Sequence, residues 1–289
     1  MDGWKDWFDW VDLGGWFESF FDWIRMTFRV VWDFINTLLL TMYDGVEFIL
    51  NGLPSIVVIA VLAGLAWLAG AWRLALLSAL SLVLIDLMDQ WQNAMQTLSL
   101  VAVAVLVCVV LSIPIGIAAA RSNVVSTAVK PVLDLMQTMP ALVYLIPAVL
   151  MFQLGPVPGI VATIIFAMPP GIRLTELGIR QVDQEVVEAG HAFGSPPNAI
   201  LRQIQLPLAL PSIMAGINQV IMLSLSMTVL AGFVGGPGLG QQVLRALSRF
   251  DIGLGFEAGL SVVILAIYLD RVTAALGSRT AVARLAEAA

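Results

Sequence analysis

The chain has 289 residues, of which 60% are hydrophobic and only 12% charged, with a net charge of −6. An ordinary soluble domain carries about twice that share of charge, so a soluble enzyme or a nucleic-acid-binding module is excluded and a bilayer protein is expected. The apolar runs are long and show no period-2 alternation, so helices rather than barrel strands satisfy the backbone in lipid. The fold class read from the sequence is an all-α polytopic membrane protein with about seven transmembrane helices.

The first 50 residues form a separate segment. They hold nine acids and three bases, Lys5, Arg25 and Arg29, which accounts for the whole net charge of the chain. They are also rich in aromatics: Trp4, Trp7, Trp10, Trp16, Trp23 and Trp32, with Phe8, Phe17, Phe20, Phe21, Phe28 and Phe34. Aromatics at helical spacing with acids between them predict amphipathic helices at the membrane interface. A surface anchor and a scaffold bracing the membrane core both fit this pattern. The start Met-Asp-Gly-Trp lacks the basic and apolar regions of a signal peptide.

Apolar runs then predict spans at 54–70 and 72–87, within a 51–91 segment that also fits a tight hairpin with tilted or partly inserted arms. Further spans are expected at 96–120, with Pro114 as a kink, at 129–152 and at 157–173. Two more follow at 208–234 and 259–276, so that residues 92–280 form the membrane core and 281–289 a short tail. The lone Cys108 lies in an apolar run and reads as packing.

Between the fifth and sixth spans, residues 182–207 are too polar to cross a bilayer. Val182, Val186, Ala189 and Phe193 fall on one helical face. Gly194 breaks that helix, because glycine reaches positive φ at no steric cost. Ser195 is expected to cap a second helix, with Pro196 in its first turn. Ile200, Leu201 and Ile204 give the second helix an apolar side, and Leu206 with Pro207 closes it. The single histidine, His191, has no partner ligands and reads as a surface residue.

The distribution of Lys and Arg orients the chain. With the C-terminus cytoplasmic, alternation of seven spans puts Arg73, Arg121, Lys130, Arg173, Arg180, Arg202, Arg271, Arg279 and Arg284 inside. Only Arg245 and Arg249 fall outside. The elbow is then cytoplasmic and the N-terminus external. Charges avoid the span centres, apart from Asp134, one turn into the fourth span. A central charge costs about 2.5–3.5 kcal/mol on insertion scales, so the pattern argues against an ion-coupled carrier. Gly235, Gly236, Pro237, Gly238, Leu239 and Gly240 lack the Lys-Ser/Thr of a phosphate loop and read as a turn or hinge. No catalytic constellation and no metal cluster can be assembled.

Glu188-Ala189-Gly190, three residues, Gly194, nine residues and Ile204-x-Leu206-Pro207 together resemble the EAA signature of ABC importer permeases. Gly190 stands where alanine is usual. The segments Gln137 to Pro147, Phe166 to Thr175, and Gly238 to Arg245 resemble the permease subunit of glycine betaine/proline betaine/choline importers, over about residues 90–275. The resemblance implies a type I ABC importer-like permease fold with a cytoplasmic coupling helix in a bacterial inner membrane. It implies coupling roles for Glu188, Ala189, Gly190, Ala192, Phe193, Gly194, Ile204, Leu206 and Pro207. It implies as partners a second copy of the chain, two ATP-binding subunits and an external or periplasmic substrate-binding protein. ATP and Mg would be held by the ATPase, with no cofactor in this chain. Met139, Pro140, Tyr144, Asn218, Met222 and Ser226 fit the translocation path and equally fit ordinary helix packing. Two rival readings are an importer for another small solute, such as an amino acid or sulfonate, and an ion-coupled secondary transporter.

Overall fold

A computed structural model describes residues 13–70 and 72–278, and every regular element in them is helical. The start of the acidic tail, with Trp4, Trp7, Phe8 and Trp10, lies outside the described residues, as does the 281–289 tail.

The tail continues as α1 (Leu13–Thr27) and α2 (Arg29–Gly52). Phe28 interrupts them, and the Trp32 indole N–H donates back to the Ile24 carbonyl at 3.3 Å. Trp16, Phe20, Trp23, Phe28 and Phe34 are exposed. The second helix is not detached. Its Leu39 and Tyr43 are buried against Leu100, Val103, Phe152, Val157 and Ile160, and Trp32 meets Phe152 edge-on at 6.0 Å.

Pro54 forces Leu53 into an extended conformation, and the chain turns through 108° into α3 (Ser55–Ala69). With α4 (Trp72–Leu87) this forms a hairpin, tied at its open end by Ser55 donating to Asp86 at 3.1 Å. Helices of 15 and 16 residues reach only about 22–24 Å, short of the ~30 Å hydrocarbon core. That length fits the alternative of tilted or partly inserted arms. The expectation of about seven spans gives way to four helices long and apolar enough to cross, or up to six if each sharply bent pair is one span.

The bundle centre is built from α5 (Trp91–Arg121), α8 (Pro156–Arg180) and α11 (Leu206–Ala231). They approach closely because small residues face each other. A Cβ on Gly171 would lie 2.7 Å from the Ser112 hydroxyl, and one on Gly116 would lie 2.6 Å from the Thr175 Cβ. Small-residue packing of this kind replaces the hydrophobic effect in lipid, where apolar side chains gain nothing by leaving solvent.

The predicted span at 129–152 is corrected to a broken one. Ser122 caps α6 (Asn123–Thr138), accepting from the Val125 N–H at 3.4 Å. Met139 and Pro140 are extended, a 3-10 turn covers Ala141–Tyr144, and α7 (Leu145–Phe152) leaves at 106° to α6. Pro140 favours the break, because a proline disfavours the helical region for the residue before it.

Downstream of the elbow, the glycine-rich segment is a turn. Gly235 and Gly238 have φ of +79° and +106°, and the Leu239 N–H donates to the Thr97 hydroxyl at 2.8 Å. That turn starts α12 (Leu239–Arg249), a helix the sequence reading did not separate from its surroundings, and α13 (Ile252–Ser278) closes the bundle. The Tyr268 hydroxyl on α13 donates to the Leu62 carbonyl at 3.0 Å and seats the α3–α4 hairpin.

Candidate functional site

The elbow begins where α8 ends at Arg180. Asp183 caps α9 (Gln184–Ala192) by accepting from the Glu185 N–H at 2.9 Å. Val182 precedes this helix, so it does not share the face of Val186, Ala189 and Phe193. Gly194, with φ +77°, ends it. The Gly194 N–H donates to the His191 carbonyl at 2.9 Å and the Ser195 N–H to the Gly190 carbonyl at 3.1 Å. These two bonds make a complete Schellman cap. A Cβ at Gly194 would meet nothing within 4 Å, so glycine is required by backbone conformation and not by space.

Ser195 does not cap the second arm. Pro196 occupies the cap position and Pro197 opens α10 (Pro197–Ile200), because Gly194 and Ser195 are spent closing α9. Leu206 and Pro207 do not close that arm either. A π turn over Leu201–Gln205 joins α10 directly to α11, with the Leu206 N–H bonded to the Leu201 carbonyl. A proline removes one helical hydrogen bond and crowds the carbonyl four residues back, and the wider π turn immediately before Pro207 accommodates that loss.

The two arms lock through Gly190. A Cβ there would sit 2.9 Å from the Ile204 Cδ1 and 3.3 Å from the Ile200 Cγ1. Gly190 therefore faces inward, unlike the exposed Ala189 and Ala192. Leu206 packs with Leu201, Ile179, Ala209 and Ile213, which anchors the elbow root in the bundle. Glu188, Ala189 and Ala192 are exposed, and Phe193 is 90% exposed at the tip. An elbow with a locked interior thus presents a carboxylate, small residues and one bare phenyl ring outward.

The remaining predicted residues divide into two groups. Met139 packs beside Tyr144, Ala162 and Met227, and the Tyr144 hydroxyl donates to the Leu135 carbonyl at 3.2 Å, so both belong to the broken-helix region, where Pro140 is exposed. Met222 and Ser226 are exposed one turn apart on α11. Asn218 is held between α11 and α13, donating to Asp270 at 3.1 Å and accepting from Thr273 at 2.7 Å. Asp134, singled out by its depth in the fourth span, is paired with Arg173 of α8. The sequence reading missed the neighbouring set of Ser126, Glu176 and Arg180. Its only sequence signal was the (i, i+4) spacing of Glu176 and Arg180.

An all-helical apolar bundle with a capped elbow inserted between two of its central helices defines the class as a membrane component of a transport system. Residues 112–282 match the family described as binding-protein-dependent transport system inner membrane component, and the chain belongs to that family. It is 47% identical to the glycine betaine transport system permease protein OpuAB of Bacillus subtilis, covering 91% of this chain and 93% of that one. It is 45% identical to the glycine betaine/proline betaine transport system permease protein ProW of Escherichia coli, over 92% of this chain and 75% of that one. It is 44% identical to the glycine betaine/carnitine transport permease protein GbuB of Listeria monocytogenes, over 93% and 96%. Among solved structures, an inward-facing form of the MetNI methionine ABC transporter aligns with a TM-score of 0.58 at 20% identity, covering 64% of this chain and 94% of that one. At that identity the likeness concerns the fold, which is that of a type I importer permease.

Proposed function

We propose that the chain is the permease subunit of an ATP-driven importer for quaternary ammonium osmoprotectants, with glycine betaine and proline betaine as first candidates and choline or carnitine as further ones. The observation that carries this reading is the elbow. Its cap and its Gly190 lock hold Glu188 and Phe193 outward on a stiff corner, and permeases 44–47% identical to the chain are named for glycine betaine transport. The elbow is the docking surface for a separate ATPase, which holds ATP and Mg. Two copies of the chain enclose the path, and an external binding protein delivers the substrate.

The elbow faces the cytoplasm. Arg121, Arg180 and Arg202 stand at the elbow end of the bundle, and Arg245 and Arg249 lie on α12 at the other, in keeping with the positive-inside rule. The test is reconstitution with the partner ATPase and binding protein. Glycine betaine uptake that requires ATP, is abolished by vanadate and is lost with Glu188→Lys supports the reading. Uptake that persists without nucleotide overturns it.

A further inference from the structure

α6 is held to the bundle lightly, burying only Ser126 and Leu133, whereas α8 buries residues along its whole length. What joins the two is polar. The Ser126 hydroxyl donates to Glu176 Oε1 at 2.7 Å, and Arg180 Nε pairs with the same oxygen at 2.9 Å. Arg180 also donates to Asn123 Oδ1 at 2.9 Å and to the Ala119 carbonyl at 2.8 Å, binding the corner between α5 and α6. Two turns further along α6, Arg173 donates to Asp134. Between these rungs lies a cleft of about 400 Å³, also lined by Lys130, which leaves room for α6 to move against α8.

The position of this ladder gives it a use. Arg180 is the last residue of α8 and Glu176 lies one turn before it, so both sit at the root of the elbow. At the other end, Asp134 stands five residues before the break at Met139. The inner rung is sheltered, the Glu176 side chain being 12% exposed. The outer one is open, with Arg173 and Asp134 at 43% and 65%, and pairs so exposed add little to folding. Their geometry serves position.

We propose that Ser126, Asp134, Arg173, Glu176 and Arg180 are positioning residues that form a latch. The latch carries displacement of the elbow root from α8 into α6 and so sets where the chain breaks at Met139 and Pro140. The inference rests on the coupling reading above, and its test separates the two. The complete transporter, with ATPase and binding protein, is reconstituted, and glycine betaine taken up per ATP hydrolysed is measured. Ser126→Ala, Asp134→Arg and Arg173→Asp each lower that ratio at least about 5-fold, the lower range of ordinary coupling effects. The ATPase still co-purifies, because the outward face of the elbow is untouched. The double variant Asp134→Arg/Arg173→Asp restores the ratio to within about twofold, as a direct pair requires. Wild-type ratios in the single variants, or a double variant no better than its parents, overturn the latch. Gly194→Val in the same assay is the control. If it uncouples while the latch variants do not, only the latch falls; if it too leaves the ratio unchanged, the coupling reading fails with it.

Discussion

Gly194→Val isolates one cause. The residue sits at φ +77° with no atom within 4 Å of the Cβ it lacks. A side chain there meets only the intrinsic cost of the left-handed region, about 1–2 kcal/mol for an L-residue, and β-branching makes the conformation rarer still. Each 1.4 kcal/mol is tenfold in a population. Valine is therefore expected to shift the equilibrium away from the Schellman-capped elbow by roughly 5- to 30-fold relative to glycine. The bundle keeps its fold, because Gly194 contributes no packing to it. Two measurements check this: betaine uptake per ATP hydrolysed, expected to fall about tenfold, and the thermal midpoint of the purified permease, expected to stay near wild type. Gly194→Asn is the decisive companion, since asparagine tolerates this conformation at helix ends and is expected to retain most uptake. Asparagine as damaging as valine would refute the backbone argument and point instead to a partner surface pressed against this position.

Phe193→Ala removes the bare ring at the elbow tip and is expected to weaken ATPase association by about 1.5–3 kcal/mol, read as roughly 10- to 150-fold in Kd. Helix content by circular dichroism should not change. Gly190→Ala puts a Cβ 2.9 Å from the end of the Ile204 side chain, which can rotate away. Less than about 1 kcal/mol of destabilisation is expected, and adding Ile204→Val should recover it. Gly171→Leu meets Ser112 and Val220 inside the bundle and should cost at least about 1–3 kcal/mol, seen as a lowered thermal midpoint and poor assembly. Normal assembly of that variant would show that the α5–α8–α11 centre is looser than described.

The elbow was legible because its signals are local. Gly194 marks a positive φ, prolines mark the start of the second arm, and the spacing from Glu188 to Pro207 has a recognisable period. What lay beyond was where the second arm ends. Leu206 and Pro207 look like a stop, but a π turn absorbs the proline and the helix runs on. Prolines misled in the opposite sense at residue 140. Pro114, Pro169 and Pro170 sit inside continuous helices, while Pro140 breaks its span, and hydropathy is alike in all these places. The α3–α4 hairpin was open from the sequence as an alternative because its runs are short. α12 was missed because its charged face, with Arg245 and Arg249, hides its apolar one from a hydropathy count. The pairing of Asp134 with Arg173 spans 39 residues, and no local pattern carries it.

The uninterrupted run from Pro197 to Val234, 38 residues long, gives the chain a lever. At 1.5 Å per residue it is about 57 Å from end to end, so a tilt of about 5° at the short arm sweeps the far tip through roughly 5 Å. That tip adjoins Gly232, whose missing Cβ would fall 2.4 Å from the backbone of Gly240. The elbow and the glycine-on-glycine contact of Gly232 with Gly240 are thus the two ends of one continuous rod.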